Sequence, residues 1–186
     1  PMDSEWLASM STCVQCLGCE TGCPSWVPFE ELISRTRVVM SSNGRPPLRL
    51  RLGLRLLGRP RLLRWGVSVL AVAQRLHLVP RTGLLPARLP LGGRHRRSAP
   101  GGDLLVFTGC VMDILMGDIH RDTIKVLTAQ GIEVVVPKAQ ACCGALQVHE
   151  GDREMAVELA RHNLIVLAEE EFDAFVNNSA GCGAHI

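Results

Sequence analysis

The sequence predicts an α+β protein: a small helical segment, an arginine-rich connector, and a carboxyl-terminal α/β domain with parallel strands. Three observations carry this. Four cysteines open the chain within residues 13–23 and lead into a pattern of helical period. Composition then shifts, because fifteen of the 20 Lys and Arg residues are arginines between Arg35 and Arg97, while no Asp or Glu lies between Leu32 and Gly102. Beyond residue 103, short apolar runs of strand type alternate with helix-length segments, which implies a parallel sheet with crossover helices. The three parts so drawn are residues 1–44, 45–102 and 103–186.

Each element has its own signal. Phe29 to Val39 reads as a helix. In the connector, alternating Leu and Arg from Leu48 hints at strand and four-residue Arg spacing hints at helix, with Pro60, Pro80, Pro86 and Pro90 breaking either. Leu104 to Phe107 is a strand, followed by Thr108-Gly109-Cys110. A helix runs from about Met112 to Ala129, with Gly131 as its stop. Ile132 to Val136 is a second strand bounded by Pro137. A helix spans about Arg153 to Glu170, and Ala174 to Asn177 is a third strand opening into Ser179-Ala180-Gly181-Cys182.

Composition sets the limits. A chain of 186 residues holds one or two domains, and with no Tyr, four Phe and three Trp its core is aliphatic. The start, Pro1-Met2-Asp3-Ser4-Glu5, lacks the charged and apolar regions of a signal peptide. The longest uncharged apolar run, Trp65 to Ala73, is about half a membrane span. The expectation is a cytoplasmic protein, soluble or peripheral on the inner face of the cell membrane. The net charge of +2 conceals the basic connector. That connector reads either as a face for anionic lipid or an acidic partner subunit, or as a solvated linker. Nucleic acid is not expected, since the arginines lack interleaved aromatics and a reading module.

The chemistry lies in the cysteines. Cys13, Cys16, Cys19 and Cys23-Pro24 form C-x2-C-x2-C-x3-C-P, the ferredoxin-type run that holds iron–sulfur clusters. Three thiolates on one tight loop reach different irons of a [4Fe–4S] cube, and the fourth, turned away by proline, points to a second cluster. A structural zinc site spreads two C-x2-C pairs over a longer gap, and a disulfide framework suits a secreted domain. Trp26 and Phe29 beside Cys23 are expected to shield a cluster from water. A second set, Cys110, Cys142, Cys143 and Cys182, falls at the ends of the three strands. Parallel strands direct their carboxyl ends to one crevice, so four thiols distant in sequence should converge there. Buried core cysteines are the alternative.

Gly109-Cys110, Cys142-Cys143-Gly144-Ala145-Leu146, His149 and Ser179-Ala180-Gly181-Cys182-Gly183-Ala184 resemble the cysteine-rich CCG domain. A ferredoxin-type run followed by this domain is similar to the iron–sulfur subunit of bacterial glycolate oxidase. Heterodisulfide reductase subunits and the anaerobic glycerol-3-phosphate dehydrogenase small subunit are related. The resemblance covers residues 11–44 and 103–186. It implies an FAD flavoprotein partner that oxidises a 2-hydroxy acid, this chain carrying the electrons to a quinone-like acceptor, and no substrate oxidation here. It also implies that Cys13, Cys16, Cys19 and Cys23 ligate [4Fe–4S] clusters, and that Cys110, Cys142, Cys143 and Cys182 form the CCG site. A thiol/disulfide redox subunit like heterodisulfide reductase, using Cys142-Cys143, is the alternative.

The sequence departs from that pattern in three ways. One cysteine run is present rather than two, so Cys13, Cys16 and Cys19 lack a fourth ligand from a partner run. His185 stands near where the related pattern has a second cysteine, as a ligand or as a solvated terminal histidine. A second CCG half is absent. The expectation is a fragment truncated at both ends, with the third strand left as a sheet edge. His149 reads either as a donor to the CCG thiolates or as a surface residue beginning a helix. Asp113, Asp118 and His120 look like a metal cluster, yet a helix start that favours acids explains them.

Overall fold

A computed structural model of the chain describes residues 3–44, 47–79, 88–89, 91 and 101–186. The expected breaks at Pro80, Pro86 and Pro90 lie outside those residues.

Three short parallel strands, β1 (Leu104–Phe107), β2 (Val134–Val135) and β3 (Ala174–Asn177), form a sheet in the order β2-β1-β3. Leu104 pairs with Val134 on one side of β1 and with Ala174 on the other. Strand periodicity divides the core. Val106 packs with Val134 and Val136 against Ile124 and Leu127 of α7 (Gly117–Ala129). Leu105 and Phe107 point to the opposite face, against Leu167 of α9 (Arg153–Ala168) and Phe175, with the Phe107 and Phe175 rings 5.8 Å apart. The mix of helices and a small parallel sheet is the α+β class the sequence predicts.

Two expected elements differ. The helix foreseen from Met112 to Ala129 is two, α6 (Val111–Leu115) and α7, because Met116 leaves helical geometry at φ −128, ψ 32. The second strand is shorter than Ile132 to Val136. Ile132 N–H is spent on the Leu127 carbonyl in the turn, and Pro137 has no N–H to donate.

Before the sheet come α1 (Ser4–Thr12), α2 (Gly18–Thr21), α3 (Phe29–Asn43), α4 (Leu48–Leu57) and α5 (Pro60–Arg75). Asp3 caps α1 by accepting from Trp6 N–H at 2.8 Å. Glu20 reaches α3, accepting from Glu30 N–H at 2.8 Å and meeting the positive end of the helix. Pro60 starts α5 rather than breaking it, since its missing N–H and fixed φ suit the first helical position. The Leu/Arg stretch is therefore helical.

These helices are tied to the α/β part. Gln147 donates to the Leu54 carbonyl (3.2 Å), Gln15 to the His149 carbonyl (3.2 Å) and Ser41 Oγ to the Gly151 carbonyl (3.2 Å). Among the described residues no helix is long and apolar enough to cross a membrane.

Candidate functional site

The first cysteine set lies on the loop from α1 to α3. Cys13 caps the end of α1 in extended geometry, Cys19 sits in α2, and Cys16 and Cys19 are exposed while Cys13 and Cys23 are half-buried. Gln15 (φ 53) and Leu17 (φ 57) take the left-handed conformation between the cysteines. Such alternation turns successive amides toward a common concavity, the backbone arrangement that favours anionic centres, including iron–sulfur sites. Amides of Val27, Ser25 and Trp26 hold the Cys23 thiol below its ordinary value. Arg37 Nη2 fixes the loop entrance, donating to the carbonyls of Ser11 (3.1 Å) and Cys13 (2.8 Å). Trp26 is 84% exposed, so the expected shield over Cys23 is not formed by that ring. Its φ of 52 turns it outward from the loop's end.

The second set sits at the carboxyl ends of the strands. Cys110 follows β1, Cys142 and Cys143 follow β2, and Cys182 lies in α10 (Ala180–Gly183) after β3. One pair joins the neighbouring strands β1 and β2, and the other joins the two outer strands, β2 and β3. Cys110 Sγ lies 3.2 Å from Cys142 Sγ, and Cys143 Sγ lies 3.3 Å from Cys182 Sγ. All are free thiols, with Cys110, Cys142 and Cys143 buried and Cys182 half-buried. Sharing a proton with Cys142 holds Cys110 below its ordinary value despite burial. Cys142, which keeps that proton, is pushed up to about 12. Cys143 is raised by its bond to Cys142, and Cys182 by its bond to Cys143, with burial adding in both. Of the four thiols, Cys110 alone is shifted downward. As the side chains stand, no group of three or more His, Cys, Asp or Glu among the described residues could hold a metal ion.

Glycine and buried amides shape this crevice. Gly144 has φ +94, and a Cβ there would meet the Ala156 backbone and His185 Nε2 within about 3.4 Å. Asn163, buried on α9, accepts from Ala141 N–H (2.8 Å) and donates to the Cys142 carbonyl (2.9 Å), gripping the chain on either side of the first thiol of the vicinal pair. Gln140 accepts from Thr108 N–H (2.8 Å) and donates to the Pro137 carbonyl (3.0 Å), joining the loops after β1 and β2. His120 does the same for β1 and β3. Its Nε2 lies 3.0 Å from the Thr108 carbonyl and its Nδ1 lies 2.9 Å from Asn178 Nδ2. A carbonyl only accepts and an amide nitrogen only donates, so this ring is the neutral Nε2–H tautomer.

The remaining histidines differ from expectation. His149 ends α8 (Ala145–His149) rather than beginning a helix, and it is half-buried. His185 is not a solvated terminal residue. Burial, and then the nearby His149, hold its pKa below the ordinary value. It closes one end of an open, mainly apolar groove of about 720 Å³ between α3 and α9. Asp113 and Asp118 fall in the first turns of α6 and α7, whereas His120 is buried and serves the clamp just described.

Sequence reasoning missed the clamping role of His120 and did not single out Gln140 or Asn163. A signal existed for two of the three. Asn163 falls in the buried series Ala156, Leu159, Asn163, Val166 of α9, and His120 in the inward series Gly117, His120, Ile124, Leu127 of α7. A polar residue on a core stripe must be hydrogen-bonded inside.

The family model for the cysteine-rich CCG domain matches residues 104–186. The chain is 29% identical to the probable glycolate oxidase iron–sulfur subunit of Bacillus subtilis (strain 168), over 99% of this chain and 48% of that protein. It is 30% identical to the glycolate oxidase iron–sulfur subunit of Escherichia coli (strain K12), over 95% of this chain and 45% of that protein. It is 36% identical to a fumarate reductase (CoM/CoB) subunit of Methanothermobacter marburgensis, over 46% of this chain and 17% of that protein. The chain spans about half the length of the two glycolate oxidase relatives. No solved structure matches. Residues 104–186, whose strand ends bring the four thiols into two close pairs, match the CCG cysteine-rich domain, in a chain similar along nearly its whole length to glycolate oxidase iron–sulfur subunits.

Proposed function

We propose that this chain is an iron–sulfur electron-transfer subunit of a flavin-linked 2-hydroxy acid dehydrogenase complex of the glycolate type. On this reading residues 1–44 are the cluster-binding segment, residues 45–102 the connector and residues 103–186 the first CCG domain. The observation that carries the reading is the C-x2-C-x2-C-x3-C-P run, set on a loop whose left-handed Gln15 and Leu17 suit a concave anion site. Cys13, Cys16, Cys19 and Cys23 are the proposed [4Fe–4S] ligands, and Cys110, Cys142, Cys143 and Cys182 the proposed CCG ligands. The donor set fits, because a soft metal centre takes thiolates, and the three amides at Cys23 already favour that form. A bound cluster supplies one-electron transfer. The chain's own part is to hold the loop through Arg37 and Glu20, and to keep the CCG crevice shut through Asn163, Gln140 and His120. The relatives' names, iron–sulfur subunits of glycolate oxidase, support a complex with other subunits, and on this reading a flavoprotein among them oxidises the substrate. A quinone-like acceptor completes the proposal.

Anaerobic reconstitution with iron and sulfide tests it, with iron, acid-labile sulfide and zinc counted per chain and EPR on the reduced sample. Equal iron and sulfide, with a signal lost in Cys16→Ser, is the expected result. Zinc alone, or no metal on a folded chain, would overturn it.

A second reading, thiol/disulfide redox chemistry at the CCG site, is favoured by the sulfur distances of 3.2 and 3.3 Å. Treating the metal-free chain with glutathione disulfide should then form Cys110–Cys142 and Cys143–Cys182. Each bond closes as two thiols lose two electrons and two protons, and one glutathione disulfide becomes two glutathiones. Non-reducing peptide mapping reads the pairing. A vicinal Cys142–Cys143 bond, or four thiols still free, would contradict this reading.

A further inference from the structure

Helix α5 carries two apolar faces. One, with buried Ala71 and half-buried Leu63, Val67 and Leu70, packs on the protein. The other is exposed: Leu62, Trp65, Val69, Val72 and Leu76 follow one another at alternating spacings of three and four, forming a single stripe along the helix. Trp65, near its start, is 74% exposed. Helix α4 repeats the arrangement, with Leu48, Leu52 and Leu56 exposed and Arg49, Arg51 and Arg55 exposed on either side of them. Arg59 and Arg61 continue the basic rim beside the α5 stripe.

We infer that this α4–α5 face docks on the surface of an anionic lipid bilayer. A stripe with alternating three- and four-residue spacing also fits a second helix, so charge must decide. No Asp or Glu lies between Leu32 and Gly102, and across the neighbouring groove Glu158 is the carboxylate that faces Arg59 and Arg61. A second copy of this chain would set arginines against arginines, which repel. An anionic headgroup layer instead receives the guanidinium groups while the stripe enters the boundary beneath. Tryptophan favours that depth, where its ring is in the apolar zone and its N–H reaches polar groups. The helix lies in the interface and does not span, in keeping with its 16 residues.

Flotation of the intact protein with vesicles tests the inference, and its readout needs no cluster. Binding is expected to equimolar phosphatidylglycerol and phosphatidylcholine, to fall with added salt, and to be weak on phosphatidylcholine alone. Trp65 emission should shift to the blue and be quenched by brominated acyl chains, a signal absent from Trp65→Phe. The double variant Trp65→Ser with Val69→Ser changes exposed positions, so far-UV CD should keep its shape while binding falls about tenfold or more. Arg55→Gln and Arg61→Gln should each weaken binding about fivefold. Absence of vesicle binding would overturn the inference, as would binding untouched by the double variant. A dimer that the double variant dissolves, with no lipid bound, would give the face to a second copy instead.

Discussion

Replacing Asn163 by leucine should cost the fold about 3 kcal/mol, since it leaves two buried backbone groups without partners at about 1–3 kcal/mol each and recovers part of that by apolar burial. The orphaned groups are Ala141 N–H and the Cys142 carbonyl, on either side of the first thiol of the vicinal pair. Leucine keeps the heavy-atom count and the branching at Cγ, but its two methyls are bulkier than the amide oxygen and nitrogen, so some overpacking at this buried site adds to the loss. Urea unfolding should show a lower midpoint with an unchanged slope. Asn163→Asp separates the two hydrogen bonds, because a carboxylate still accepts from Ala141 N–H but sets an oxygen against the Cys142 carbonyl. Both variants should also speed labelling of Cys142 by a thiol reagent. A loss below about 1 kcal/mol for Asn163→Leu would mean that water reaches the loop and replaces the amide.

Gly151→Ala should be as damaging, for a steric reason. Gly151 sits at φ +76, where an alanine pays about 1–2 kcal/mol, and the new Cβ would run into the Arg37 carbonyl, with Ser41 Oγ 2.8 Å away. Overpacking against backbone adds about 1–3 kcal/mol, for a total near 3 kcal/mol. The location makes the effect specific. Arg37 holds the Cys13 carbonyl by its guanidinium and seats against Gly151 by its own carbonyl, while Ser41 Oγ donates to the Gly151 carbonyl. Displacing α3 therefore loosens the cysteine loop from the CCG domain as well as lowering stability. Hydrogen exchange should rise over residues 11–43 before it rises in β1. Uniform loss of protection across the chain would show instead that the two parts unfold as one.

The strands were legible because each is a short apolar run with a punctuating neighbour: Gly102 before β1, Pro137 after β2 and Ser179 after β3. Strand order was not, since it depends on how α7 and α9 cross the sheet, and even strand order does not give the thiol pairs, because Cys143 and Cys182 follow the two outer strands. The Leu/Arg stretch misled by its local alternation. Two residues apart describes a strand face, yet Leu48, Leu52 and Leu56 are also four apart, and Pro60 supplies a helix start rather than a break. The split at Met116 escaped notice because the apolar period carries on across it. His149 and His185 could not be placed from the sequence, because their burial depends on contacts distant in the chain, such as the approach of His185 Nε2 to Gly144, where a Cβ would lie 3.4 Å from it.

The two cysteine sets differ in what the chain must accomplish before each exists. Residues 13–23 are contiguous, so gathering them closes only short loops and asks little of the rest of the polypeptide. Cys110, Cys142, Cys143 and Cys182 meet only after β1 has paired with both β2 and β3, which are its non-local neighbours. On a growing chain, the first set is complete before any strand has been made, whereas the second waits for Cys182 and for slow long-range pairing. On the proposed function, maturation would be ordered by topology: a cluster for the amino-terminal loop could arrive during synthesis, and one for the strand ends would have to reach a folded domain.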